Sequence, residues 1–341
     1  MNLIGKVFTL LLVLISAASF AQNKRTDYKL SHPLKFGAEN QNLTPKNYDG
    51  IPDTFKVVAI MADFQLDDAG QSTGNGKFDL SSKYLNPSTG RDTIIDSPPY
   101  DSLYFADHLK FLKNYFEKVS DGKVVISYEL FGSVIHLPNK MQDYSPQRNE
   151  NLSKLGNLFK DAWARADSII NFSSYDPNKT AFVVFHAGTG RDVDLTSIFG
   201  FDPRPFDLPS VYLGLKNLQE FFGSSYTGYQ TADGFLIKNS LIIPSTEVRE
   251  LELSSGNFIL ELGMNGILTA SFGSFLGLPD LFNTNTGKTA IGRFGLMDGQ
   301  SIFSFNGLFP PEPSAWEKVY LGWVNPRLYR DQPLRSDVSR R

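Results

Sequence analysis

Residues 257–276 read NFILELGMNGILTASFGSFL, a run whose apolar positions recur at helical spacing and whose end is marked by Gly277, Leu278 and Pro279, a glycine stop with proline just beyond. The spacing predicts a central helix over the whole run. Gly263, Gly266 and Gly273 fall inside it, and each costs about 1 kcal/mol relative to alanine in a helix interior. A sequence tolerates that cost where another part of the chain must come close to the backbone, so this helix is expected to be tightly packed.

Outward from it, residues 55–64 (FKVVAIMADF) form a short apolar run that suits a strand buried on both faces. Residues 104–119 place Tyr104, Phe105, Leu109, Leu112, Tyr115 and Phe116 on one helical stripe, and Gly122 follows the end. Residues 123–137 alternate as a strand or hairpin, and residues 151–170 predict a second amphipathic helix. Residues 180–186 (TAFVVFH) read as another buried strand running into Ala187-Gly188-Thr189-Gly190. Residues 192–247 carry Pro203, Pro205, Pro209 and Pro244, so irregular structure is expected, with a hairpin near 234–243. Alternating strands and helices predict an α/β domain with a twisted, mostly mixed sheet.

Composition narrows the function. Among 341 residues, 33 Lys and Arg stand against 36 Asp and Glu, and a net charge of -3 with no basic cluster gives no footprint for nucleic acid. The absence of cysteine removes thiolate catalysis, cysteine zinc sites and disulfides. Residues 1–21 join Lys6, an apolar run over 7–15 and small residues ending at Ala21, the pattern of a secretory signal peptide. The run is shorter than the roughly 20 residues of a spanning helix, and no later segment is long and apolar enough. The expected location is therefore outside the inner membrane: periplasm, cell surface or medium.

The stretch GILTASFGSFLGLPDLFNT (266–284) resembles the active-site segment of the immune inhibitor A family, secreted bacterial zinc metallopeptidases (metallopeptidase family six) with the pattern HExxHxxGxxD and a following Met-turn. The resemblance runs over about residues 55–324. It takes in FKVVAIMADF with GNGKFD, FLKNYFEKVSDGKVVI, FVVFHAGTG and PSAWEKVYLGWV. It implies a zincin-like fold: a mixed twisted sheet, a former active-site helix across it and a smaller second lobe. Gly277 matches the family glycine, Asp280 the third metal ligand and Leu296-Met297-Asp298 the Met-turn. Ala270, Ser271 and Ser274 stand at the first histidine, the glutamate and the second histidine.

In a zincin, two histidines at i and i+4 share one helix face and reach one zinc at about 2.0–2.1 Å, while the glutamate activates the bound water. An alanine methyl donates nothing, a neutral hydroxyl is a poor ligand, and the Asp280 carboxylate alone does not hold the ion. Ser271 is no general base near neutral pH. No zinc cofactor is therefore expected, Asp280 is at most a vestigial ligand, and the chain reads as a pseudoenzyme. The same small residues also suit a helix packed closely on a neighbour. Met297 also suits core filling, and Asp280 a turn cap.

Other sites are thin. His32, His108, His136 and His186 lack the spacing of a zinc pair, and His186 reads as a core histidine. Thr269 to Gly273 lacks the first glycine of a nucleophile elbow. Asp67, Asp68, Asn75 and Asp79 crowd one glycine-rich loop and offer hard oxygen ligands, so calcium is a candidate, as it is at Asp192 and Asp194; a solvated turn explains both loops too.

The expected organisation is a signal peptide (1–21), an extended lead-in (22–54), a metallopeptidase-like domain (55–326) and a tail (327–341) that reads as cut short. The expected function is binding of a peptide or protein ligand without catalysis. Two rivals stay open: an active secreted zinc metalloendopeptidase with an unrecognised site, and a structural or adhesive module of a larger surface protein.

Overall fold

The computed structural model describes residues 45–326 apart from 47, 148–149, 254–255, 285 and 300; the expected signal peptide, most of the expected lead-in and the tail lie outside the described residues. Five strands form the main sheet: β1 (Asp53–Asp63), β2 (Val124–His136), β3 (Thr180–Thr189), β4 (Val211–Leu213) and β5 (Ser240–Thr246). Their order is β2-β1-β3-β5-β4, parallel except for β4, which runs antiparallel to β5 at the edge. The sheet is thus mixed and the fold α/β, as expected.

β1 is apolar on both faces because both are covered. Val57, Ala59 and Met61 enter one apolar cluster with helix α1 (Ser102–Val119), while Val58, Ile60 and Ala62 enter the other with helix α2 (Ser153–Ala166). α1 starts where the Asp101 carboxylate accepts the N–H groups of Leu103 and Tyr104, both at 3.0 Å. It ends before Gly122, whose φ of +72° suits glycine. α3 (Leu215–Phe222) joins α2 on its face through Leu218.

Of the two forms expected over 123–137, the strand is the one present, as β2. Other expectations need correction. α2 ends at Ala166, short of residue 170. The hairpin near 234–243 is only a two-residue ladder, Tyr229–Gln230 with Leu236–Ile237. Residues 240–246 are instead the buried strand β5, with Pro244 opposite His186, where the β3–β5 register then breaks. That break is what lets proline, lacking an N–H, sit inside a sheet.

The helix expected over 257–276 is shorter: α4 spans Asn265–Phe275. Residues before it form the hairpin of β6 (Arg249–Leu253) and β7 (Gly256–Leu260), a case where a short apolar run fits either period. Gly263 therefore lies outside the helix. Residues 266–274 of α4 are buried all round, which explains its lack of a polar face. Phe272 packs edge-on against Phe55 (6.2 Å between ring centroids) and 4.9 Å from Phe116, joining α4 to β1 and α1.

The close approaches implied by the glycines are present. A β-carbon at residue 266 would lie 1.9 Å from the Ile302 carbonyl oxygen, and one at 273 would lie 2.8 Å from Met297 Sδ. Gly263 N–H donates to Asn306 O at 2.5 Å. After α4 come a kinked 3-10 segment (Ser301–Gly307) and α5 (Ala315–Tyr320). Leu296, Met297, Ile302, Tyr320 and Trp323 from this part share the apolar cluster of α1 and α4. Among the described residues no helix is long and apolar enough to cross a membrane.

Candidate functional site

Ala270 and Ser274 occupy successive turns of α4 and are each only 1% exposed, with Ser271 fully buried between them. The Ser274 hydroxyl donates to the Ala270 carbonyl (3.2 Å), and Ser271 Oγ has no partner. Gly277 (φ +95°) closes the helix, with Leu278 N–H donating to Gly273 O at 3.0 Å. Asp280 lies half-buried just past this cap. Leu281 N–H then donates to Met297 O (3.0 Å), which seats Met297 against Gly273 beneath α4. Among the described residues no three His, Asp or Glu side chains form a group able to hold a metal ion.

The proposed calcium loop is not drawn around a common point. Asp67 accepts Lys140 Nζ and Ala69 N–H, both at 3.2 Å, while Asn75 Oδ1 accepts Lys77 N–H (3.1 Å). Asp79 accepts Ser81 N–H (2.9 Å) and faces Lys83 Nζ at 3.6 Å, and Asp68 is exposed. Lysines and Asx turns answer these carboxylates.

A cleft lined by charged side chains, Asp79 among them, lies over the carboxyl ends of β1, β3 and β5, where loops from an α/β sheet converge. It encloses about 310 Å³, at the small end of ligand pockets, roughly 300–1,000 Å³. The loop after β1 supplies Lys77, Asp79, Lys83 and two tyrosines, the loop after β3 supplies Arg204, and β6 supplies Glu250 and Glu252. Period-two alternation in RELEL sends Arg249 and Leu251 inward and both glutamates outward. Glu250 accepts the Tyr84 hydroxyl (2.7 Å) and Lys83 Nζ (3.0 Å), and these bonds hold it below the ordinary carboxylate range. Burial and the same bond push the Tyr84 hydroxyl up to about 12.

Beneath the cleft a buried ion cluster fixes its three loops. Arg249 pairs with Asp207 at 3.0 Å and also donates to Gly190 O. Asp207 accepts the Thr73 N–H (2.5 Å) and hydroxyl (2.7 Å), tying the first loop to the second. Arg191 donates to the carbonyls of Pro205 and Pro146. Asp192 is therefore a core residue: it accepts the Ser210 hydroxyl at 2.7 Å and meets Glu247. Asp194 is buried too and accepts Thr196 N–H at 3.1 Å. Burial raises both Asp192 and Glu247, the latter well above its ordinary range, with the Asp192 charge adding to the rise. Two carboxylates bond only if one carries a proton, and a shared proton gives Glu247 the partner its buried oxygens otherwise lack.

His186 sits in the core as expected, its Nδ1 2.9 Å from the Ala187 carbonyl, and burial lowers it from 6.5 to about 4. Between those values the unfolded chain binds a proton that the folded chain refuses, so stability falls as pH falls, by up to about 3 kcal/mol. Urea unfolding at about pH 7 and about pH 5 should show a larger acid loss for the native chain than for His186→Gln. Equal losses would refute the assignment. The Asp192–Glu247 pair works the other way: its contribution is complete below the ordinary carboxylate range and declines as pH rises through the raised values.

Sequence reasoning did not single out Arg204 or Asp207 within the Pro- and aromatic-rich stretch 199–212, which reads either as a binding loop or as a well-packed one, and it missed Glu247, Arg249, Glu250 and Glu252. The strict alternation of RELEL was the available signal for the last three. Neither a protein-family model nor a curated protein matches the chain, so the likeness to immune inhibitor A peptidases rests on the motif positions and segments quoted above.

Proposed function

We propose that the chain is an exported, zincin-like protein of metallopeptidase descent that binds peptide or unfolded protein and does not hydrolyse it. The α/β sheet with α4 packed across it, and Met297 seated under Gly273, agree with the fold that the resemblance implies. One observation carries the reading: the positions where a zincin needs two imidazoles and a carboxylate hold Ala270, Ser274 and Ser271, sealed in the core, with the Ser274 hydroxyl spent on its own helix. These residues do not fit zinc, because no imidazole or carboxylate projects from that face. The open, charged cleft over the strand ends is the place for a ligand.

Immobilised protein should retain chemically unfolded casein and release it at full length on elution. Failure to retain casein and to bind short peptides alike defeats the binding half of the proposal, and shortened casein in the eluate defeats the non-catalytic half.

A further inference from the structure

Four of the six charges in the cleft wall are spent within the protein. Lys77 pairs with the buried Asp63 at 3.0 Å, and Lys83 faces both Asp79 and Glu250. Two charges are left over. Arg204 donates from one terminal nitrogen to the Gly70 carbonyl, a neutral acceptor, and its Nε–H is buried without any acceptor. Glu252 is exposed on β6, and no hydrogen bond or ion pair joins its carboxylate to another described residue. A guanidinium without a carboxylate and a carboxylate without a cation thus line the same cavity of about 310 Å³.

With one terminal nitrogen given to a carbonyl, the Arg204 guanidinium still offers the other to a carboxylate, the group it is shaped for. A ligand that answered only Arg204 would add a second anion to the cavity that Glu252 lines, and one that answered only Glu252 would leave the guanidinium without a carboxylate. A ligand carrying both an ammonium and a carboxylate satisfies both walls. The cavity is too small for a folded partner and suits a molecule of a few residues. Loops pinned by the Arg249–Asp207 cluster hold the two charges in place before the ligand arrives, which lowers the ordering cost of binding.

We propose that this cleft binds short peptides as zwitterions, with Arg204 taking the free α-carboxylate and Glu252 the free α-ammonium. This deepens the binding function proposed above and rests on it.

Calorimetric titration of the intact chain with alanine, dialanine, trialanine and tetraalanine should show saturable binding that is best at one length, since recognition through the two termini tolerates methyl side chains. N-acetylation or C-amidation of the best peptide should each weaken binding about tenfold or more, the usual worth of a charge-assisted hydrogen bond. Glu252→Gln should abolish the penalty for N-acetylation and leave that for C-amidation, and Arg204→Gln should do the converse. Arg204→Lys, which keeps the charge, should retain part of the carboxylate dependence if the fold is intact. No binding of any of these peptides at about 10 mM, beyond millimolar affinity, or equal binding of the blocked forms, would overturn the proposal. If casein is retained while the peptides are not, the zwitterion assignment alone fails; if neither binds, the binding function fails with it.

Discussion

Arg249→Met should cost the protein about 3–5 kcal/mol of stability, the usual penalty for removing one partner of a buried ion pair. The guanidinium is 1% exposed and the Asp207 carboxylate fully buried, so no water can take over the pairing. Asp207 would keep the two bonds from Thr73, which soften the loss, but Gly190 O would lose its donor and the Asp192–Glu247 pair its nearby positive charge. The loss should fall on the loops over the strand ends first. Their amides, from residues 65–79 and 190–207, should exchange faster than those of β1 and β3. Urea unfolding checks the magnitude. Arg249→Met combined with Asp207→Asn should cost less than the sum of the single changes, since no full charge is then stranded. Additive costs, or a single-variant loss below about 1 kcal/mol, would mean that the cluster is solvated and does not hold the loops.

Gly266→Ala should destabilise the fold even though alanine is the better helix former. Propensity favours the change by about 1 kcal/mol. Against this, the new β-carbon would stand 1.9 Å from the Ile302 carbonyl oxygen, 2.7 Å from its carbon and 3.0 Å from its α-carbon. All three are backbone atoms, so relief requires moving the 301–307 segment away from α4, and overpacking of this kind costs about 1–3 kcal/mol or more. Gly273→Ala is the control. Its nearest neighbour is Met297 Sδ at 2.8 Å, on an unbranched side chain that can rotate aside, so its loss should be much smaller. Thermal unfolding of the two variants side by side decides the matter. A Gly266→Ala protein as stable as the native chain would mean that α4 and the 301–307 segment do not meet as described.

The contrast between these glycines bears on what was legible in the sequence. Long, strongly periodic segments were readable: the buried run of β1, the apolar stripe of α1 and the all-round burial of α4 each follow from side-chain pattern. Glycines 266 and 273 announced close packing in their neighbourhood but not what would approach them, because that depends on contacts with residues about thirty positions away. Two segments were misread for local reasons. Pro244 and the surrounding glycines and serines pointed to irregular structure over a strand whose ladder breaks just where proline needs it. Residues 257–260 fit a helical period as well as a strand period until β6 pairs with them.

The cleft was less visible. Its charges come from three segments, around residues 77–84, 204 and 250–252, and nothing local says that they meet. Arg249 and Asp207 read as surface residues by type and prove fully buried, since each makes the burial of the other possible. The motif positions on α4 were located by resemblance, and their burial adds the physical point that the packing around Ala270 and Ser274 leaves no open space for larger side chains.

Metal content is the most direct test of the claim that the former active-site helix has lost its chemistry. Purified protein is exposed to excess zinc, dialysed free of unbound metal and assayed for zinc per chain by atomic emission. The expected result is zinc far below one ion per chain, unchanged in the Asp280→Ala variant. One zinc per chain that survives dialysis and is lost in Asp280→Ala would contradict the claim.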